Sequence, residues 1–493
     1  MNKILKKYND IPIAAKAALW FVFCNVLQKC VALITTPVFT RLMTPDQYGQ
    51  FSIYNSWLQI FTIITTLRLN WGVFNKGMSK YKEDRDVYTV TMQTITTVLT
   101  LITFVLYIIF RDFINSIVEL PTFIMIAIFA ELLVTPAIDF WTIRKRYEYI
   151  YVPVVIRSIL LVVANAVLGV VAVLISDEKG YARILSCVFV NIIFGSVLYV
   201  YNIIKAKRIF YKPYAVFAIK FNIPLLLHYL SQYILDQFDR VMIQKMVGMA
   251  SAGIYSVAYN AAAVLRIVTQ SVNNAFIPWQ YEKLEENKKY KLRFIADQYN
   301  EGSTDETYMS CVICLIVSVC AMLFCCLAPE MMSVLAGKKY IEAVYCIPPI
   351  IIGLQFSFMY SLFANVEFFY EENKYTMYIS MAGAAINVVL NYFGIKYFGF
   401  IAAAYTTAIC FAAFTYFHYT YMSKRVKEKE NIDVFFNGKR YFLIGFITSV
   451  LCLSVILLYG HPLIRYIIIA VAILIGWFFK NKISMIWRTI KRK

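Results

Sequence analysis

Apolar runs of about twenty residues recur from residue 17 almost to the end of the chain, separated by short polar segments. A helix needs about that many residues to cross the hydrocarbon core of a bilayer. The composition agrees: 60% of the residues are hydrophobic and 16% are charged, whereas soluble domains carry about 25% charged residues. The chain reads as an all-α integral membrane protein with no soluble domain.

Fourteen spans are expected, near residues 17–39, 49–67, 88–110, 118–140, 152–175, 182–204, 221–244, 252–279, 308–328, 343–366, 375–395, 399–422, 441–459 and 463–479. The first run exceeds the length of a signal-peptide core and lacks a small-x-small cleavage site, so it is read as a retained span. The net charge of +19 does not form a contiguous basic domain, which argues against nucleic acid as a partner. It reflects topology instead. With the N-terminus inside, 35 of the 48 Lys and Arg residues fall in cytoplasmic segments, and the positive-inside rule then places both termini in the cytoplasm.

Three short patterns occur twice in the same order, as expected for a parallel duplication. Arg41 stands eight residues before Gly49-Gln-Phe-Ser-Ile, and Lys245 stands eight before Gly253-Ile-Tyr-Ser-Val. Asp139-Phe-Trp with Arg146-Tyr147 answers Glu367-Phe-Phe with Lys374-Tyr375, and Asn165-Ala-Val-Leu-Gly169 answers Asn387-Val-Val-Leu-Asn391. Two six-helix lobes follow, residues 1–210 and 211–424, and residues 425–493 add a basic linker, two further spans and a basic tail. The charged connection 280–307 is expected to be cytoplasmic and too small for an enzyme domain. The basic segments are expected to meet anionic lipid headgroups.

An ionisable group inside a span costs about 2.5–3.5 kcal/mol at mid-bilayer, so each one needs a polar interior or a partner. Helical spacing aligns Asn25, Lys29 and Thr36 on span 1 and Asn55, Gln59, Thr62 and Thr66 on span 2. Spans 7 and 8 repeat the arrangement with His228, Gln232, Asp236 and Asp239 or Arg240, and with Arg266, Gln270 and Asn273 or Asn274. The same residues would also serve as ordinary interhelical hydrogen-bonding groups. Asp236 and Arg240, four apart, are placed to neutralise each other. Arg157 lies near a span end, where snorkelling accounts for it. Glu131, five residues before the span-breaking Pro136, is the foremost candidate for binding a proton or cation, with Asp236 and Asp239 beside it in that role.

The eleven cysteines lie almost all inside spans, and Cys311 with Cys314 lacks the further ligands of a zinc site. No metal or other cofactor is expected. The three histidines form no metal-binding motif, and no GxxxxGK[ST] loop signals ATP use.

The segment TRLMTPDQYGQF at 40–51, after Pro37, resembles the signature between the first two helices of polysaccharide exporters. The run Asp239-Arg-Val-Met-Ile through Ala252-Gly-Ile-Tyr-Ser-Val, Gly337-Lys-Lys-Tyr, Asn387 with Asn391, and Gly399-Phe-Ile-Ala-Ala-Ala extend the likeness over most of residues 15–422. The chain is similar to the Wzx-type O-antigen and exopolysaccharide flippases of the multidrug/oligosaccharidyl-lipid/polysaccharide exporter superfamily. That resemblance implies a bacterial cytoplasmic-membrane protein, not an enzyme, with a central cavity lined by spans 1, 2, 7 and 8. The implied cargo is a polyprenyl-pyrophosphate-linked oligosaccharide moved by ion-coupled alternating access, with a polysaccharide polymerase or glycosyltransferases as partners besides membrane lipids. The extra helix pair resembles that of lipid II flippases.

In this reading Lys29 and Arg266 hold the pyrophosphate, and Arg41 and Lys245 form an outer station. Asn25, Asn55, Gln59, Gln232 and Gln270 meet sugar hydroxyls. A drug/cation antiporter of the same superfamily is opposed by the deep cations. A membrane-embedded polymerase is opposed by external connections too short to carry a catalytic loop.

Overall fold

The computed structural model describes residues 12–289, 305–370, 373–430 and 436–478, and among them every regular element is helical. Cα proximity divides the chain into two compact units between Tyr233 and Ile234. Among the described residues, ten helices are long and apolar enough to cross a bilayer, and eleven if one pair bent by 60° counts as a single span. Two other long helices, Pro45–Thr66 and Ala402–Glu430, are more polar, and Pro462–Phe478 is shorter. The expected number of fourteen rests on these three and on the bent pair.

The first unit comprises α1 (Ile13–Leu42), α2 (Pro45–Thr66), α3 (Gly72–Lys80), α4 (Arg85–Ile109), α5 (Arg111–Val118), α6 (Thr122–Tyr147), α7 (Val152–Ile175), α8 (Lys179–Lys205) and α9 (Lys212–Tyr233). The α2 start is written into the sequence. Thr44 accepts from the Gln47 amide at 3.3 Å while Gln47 Oε1 accepts from the Thr44 amide at 3.0 Å, a capping box with Pro45 in the first turn. Helix α8 packs on α2, α6 and α7, α1 lies on α7, and α9 leans on α2, α3 and α4. Phe74, Tyr88, Phe140 and Tyr214 form an aromatic core where α3, α4, α6 and α9 converge. The α2 end is unusual, because Leu67 and Arg68 both have left-handed backbones, at φ 47° and 53°.

The second unit opens with a π-helical turn (Ile234–Phe238), followed by α10 (Asp239–Met246), α11 (Met249–Lys289), α12 (Asp305–Cys326) and α13 (Ala328–Leu335). A 3-10 segment (Lys338–Cys346) leads into α14 (Ile347–Phe369), α15 (Asn373–Phe398), α16 (Ala402–Glu430), α17 (Gly438–Ser454) and α18 (Pro462–Phe478). Helix α14 is the centre, packed on α11, α16 and α17. Helix α12 carries α17 and α18.

Two connections differ from expectation. The helix that carries the eighth span does not end near 279: α11 runs on to Lys289, because Glu and Lys favour helix once the chain leaves the apolar stretch. Residues 290–304 of the expected 280–307 connection lie outside the described residues. The connection before α14, expected to be external, is occupied by α13 and the 3-10 segment.

Candidate functional site

In the first unit the buried centre is Glu131, 2% exposed on α6. Tyr54 of α2 donates its hydroxyl to Oε2, and Asn191 Nδ2 of α8 donates to Oε1 at 2.8 Å. Three helices thus converge on one carboxylate. Neither Tyr54 nor Asn191 was singled out from the sequence, since a tyrosine or asparagine in a span carries no local mark of its partner.

Arg183 on α8 is a second feature the sequence did not flag. Only 9% exposed, its guanidinium lies 4.3 Å from the Phe39 ring and 4.9 Å from the Phe51 ring, and Nη1 donates to the Asn165 carbonyl at 3.0 Å. Aromatic faces can hold a desolvated cation by about 2 kcal/mol. The approach depends on Gly169, where a Cβ would stand 2.3 Å from Nη1.

Of the polar stripe on α1, the side chains of Asn25 and Lys29 lie outside the described residues, and Arg41 is exposed near the Pro37 carbonyl, 3.5 Å away. On α2, the amide of Asn55 donates to the Phe51 carbonyl at 2.8 Å, Gln59 is half-buried, and Thr62 and Thr66 bond back to their own helix. At the other end of α2, Asn70 Nδ2 donates to Asp139 at 2.7 Å. Asp139 is solvent-accessible. Arg157, Arg68 and Arg146 surround it within electrostatic reach.

Beyond the end of α6, Glu148 accepts from Lys145 at 2.6 Å and from Arg144 at 2.8 Å. Partial burial alone would raise its carboxyl, but these two cations hold it below the usual carboxylate range. Arg144 also pairs with Asp86.

In the second unit, Arg266 of α11 faces Asp236 in a two-pronged ion pair, with nitrogen to oxygen distances of 3.3 and 3.4 Å. Arg266 and Asp236 retain 26% and 40% of their side-chain exposure. Asp239 is 1% exposed. It accepts from the Tyr255 hydroxyl at 2.6 Å and from the Arg240 amide at 2.8 Å. The expected neutralisation of Asp236 by Arg240 does not occur. Arg240 Nη1 instead reaches the Asp236 backbone carbonyl at 3.0 Å, Gln237 at 2.7 Å and Asp239 at 3.5 Å. The π-helical turn explains this, because its wider i→i+5 winding takes residues four apart out of alignment. Gln232 is half-buried, while Lys245 and Gln270 are exposed. Asn273 instead receives the Asn365 amide at 3.0 Å, a link between α11 and α14.

A further buried pair escaped the sequence reading. Glu367 of α14 and His418 of α16, both with fully buried side chains, meet at 2.9 Å, and Thr376 of α15 donates to the same carboxylate at 2.8 Å. Among the described residues no group of three potential ligands is arranged to hold a metal ion.

The solved lipid II flippase MurJ in an inward closed conformation superposes with a TM-score of 0.64 at 13% identity, covering 94% of this chain and all of that one. An inward-facing multidrug resistance MATE family transporter of the MOP superfamily gives 0.60 at 12% identity, over 82% of this chain and 96% of that one. The fold is thus that of MOP-superfamily transporters, and the chain is a multi-pass membrane protein. Lsg locus putative protein 1 of Haemophilus influenzae is 22% identical over 392 residues, 78% of this chain and 92% of that protein. Residues 14–282, more than half the chain, match the model of the polysaccharide biosynthesis protein family, and the protein belongs to that family.

Proposed function

We propose that the protein is a flippase for a polyprenyl-pyrophosphate-linked oligosaccharide, carried from the cytoplasmic to the outer face of a bacterial cytoplasmic membrane by alternating access. The observation that carries this reading is the Arg266–Asp236 pair. Two charged side chains on spanning helices remain a quarter to two-fifths accessible, and intramembrane charges of that kind line polar, water-filled space. Arg266 suits a phosphate because its planar fork donates in pairs, and Asp236 holds that fork until cargo displaces it. Lys29 shares the phosphate, with Arg41 and Lys245 at an outer station. The neutral side chains of Asn25, Asn55, Gln59, Gln232 and Gln270 meet the sugar, and Glu131, Asp236 and Asp239 exchange protons or a cation as the lobes, residues 1–210 and 211–424, alternate.

Membership in a polysaccharide biosynthesis family supports a lipid-linked glycan over a cationic drug. The test is complementation of a flippase-null strain, with membrane abundance followed by blot. Lys29→Ala and Arg266→Ala lose most export at normal abundance, and Arg266→Lys keeps part of it. Each charge-assisted contact contributes about 1.5–3 kcal/mol, so losing one lowers apparent affinity about tenfold or more. Full export by the double alanine variant overturns the proposal.

A further inference from the structure

The end of the first unit that carries Asp139 holds more positive charge than its protein partners use. Arg144 and Lys145 are matched by Asp86 and Glu148. Arg68, Arg146 and Arg157 are not: among the described residues none of them forms an ion pair, although all three stand around the accessible carboxylate of Asp139. Each rests on an aromatic ring instead, Arg68 5.4 Å from Trp71, Arg146 5.2 Å from Phe21 and Arg157 6.0 Å from Trp141. Arg157 Nη2 donates to Thr142 at 2.5 Å, while its Nε is buried without an acceptor. An unmet guanidinium donor beside two more unpaired guanidinium groups is a place for an anion with more than one charge.

A second, independent feature adjoins it. Between α1 and α7 lies a cavity of about 140 Å³ lined mainly by Leu27, Val31, Ile159, Val162 and Val163, with Cys24 and Gln28 also in its wall, which begins at Ser158, the residue after Arg157. Cys24 in that wall lies within electrostatic reach of Arg157 and Arg146. An apolar cavity of about 150 Å³ holds a ring of six carbons, so this one accepts one isoprene unit.

Resting on the reading of a lipid-linked cargo, we infer that Arg68, Arg146 and Arg157 with the α1–α7 cavity form an entry site for polyprenyl pyrophosphate, the guanidinium groups taking the pyrophosphate and the cavity the first isoprene unit. Asp139 sets the affinity: it keeps the arginines oriented when the site is empty and repels the phosphate enough to permit release. The positive-inside distribution puts this end of α6 and α7 at the cytoplasmic face, where such a lipid is loaded.

The test uses the full chain in phosphatidylcholine nanodiscs with farnesyl pyrophosphate as probe, and binding is read by native mass spectrometry. The wild type binds farnesyl pyrophosphate more tightly than farnesol or inorganic pyrophosphate. Arg157→Gln and the exposed Arg146→Gln each weaken it about tenfold, whereas Asp139→Asn tightens it. Val162→Trp, which fills the cavity, weakens farnesyl pyrophosphate and leaves inorganic pyrophosphate unchanged. Thermal unfolding identifies a variant that has not folded, and Arg157→Lys then reads the same site with the charge kept and the fork removed.

Two results overturn the inference: affinity unmoved in folded arginine variants, or displacement of the probe by equimolar phosphatidylglycerol, which would make this a site for bulk anionic lipid. If the wild type binds as expected but exports no lipid-linked glycan, the proposed function fails and the site stands. If it exports and no variant alters binding, the site fails and the function stands.

Discussion

Replacing Glu131 separates the two roles a buried carboxylate can have. It accepts from Tyr54, 1% exposed, and from Asn191, which is half-buried. Glu131→Ala removes both acceptors. The Tyr54 hydroxyl is then stranded in a dry core at a cost of about 1–3 kcal/mol, while the Asn191 amide recovers part of its loss by hydration. With the void left by the side chain, the expected destabilisation is about 2–4 kcal/mol. Glu131→Gln keeps the shape and one oxygen for Tyr54, and Asn191 accepts from the new amide by turning its own. The expected cost is under about 1 kcal/mol.

If Glu131 is the proton- or cation-coupling group, Glu131→Gln should be nearly as abundant and heat-stable in detergent as the wild type, yet lose the dependence of glycan export on the ion gradient. The assays are heated size-exclusion profiles and complementation with intact and dissipated gradients. Wild-type gradient dependence in the glutamine variant refutes the coupling role. Instability equal to that of the alanine variant refutes the reasoning differently, by showing that the charge itself is structural.

Two further outcomes follow from close contacts. Gly169→Ala puts a methyl group where Arg183 Nη1 now lies, so thermal stability should fall by about 1–3 kcal/mol, and Gly169→Ala with Arg183→Met should recover part of it. In the second unit Arg465 of α18, with its side chain 3% exposed, forms a two-pronged pair with Glu330 of α13, 32% exposed, and also donates to the Cys326 carbonyl. Glu330→Ala strands a buried cation and should cost about 3–5 kcal/mol. Arg465→Met leaves a carboxylate that water and Tyr466 still reach, so chemical denaturation should show a smaller loss.

The spans were legible because a bilayer imposes one length and one polarity on every crossing. The extent of α2 was not fully legible. Its helix begins at Pro45 rather than near 49, where the capping box and not hydropathy sets the start. Glu131 stood out as an unpaired acid in an apolar run, but its partners are 77 and 60 residues away in sequence, and a single chain gives no means of pairing them. Arg183 lay at a predicted span edge, where snorkelling is the ordinary explanation, and the Phe39 and Phe51 rings that hold it come from other helices. The alignment of Asp236 with Arg240 failed because a helical wheel assumes 3.6 residues per turn, and one π-helical turn breaks that assumption.

The left-handed turn at Leu67 and Arg68 sets a balance of small energies. Each residue there is disfavoured by about 1–2 kcal/mol relative to an ordinary helical backbone. Against this stand the hydrogen bonds of the turn, from the Arg68 amide to Thr66 Oγ1 at 3.1 Å, from the Leu69 amide to the Thr66 carbonyl at 2.9 Å, from the Trp71 amide to the Arg68 carbonyl at 3.0 Å and from Asn222 of α9 to the Leu67 carbonyl, each worth about 0.5–1.5 kcal/mol. The turn is thus held by its contacts and not by its own backbone preference. Arg68 therefore owes its place to the turn's hydrogen bonds, and the Asn222 amide ties that turn to α9.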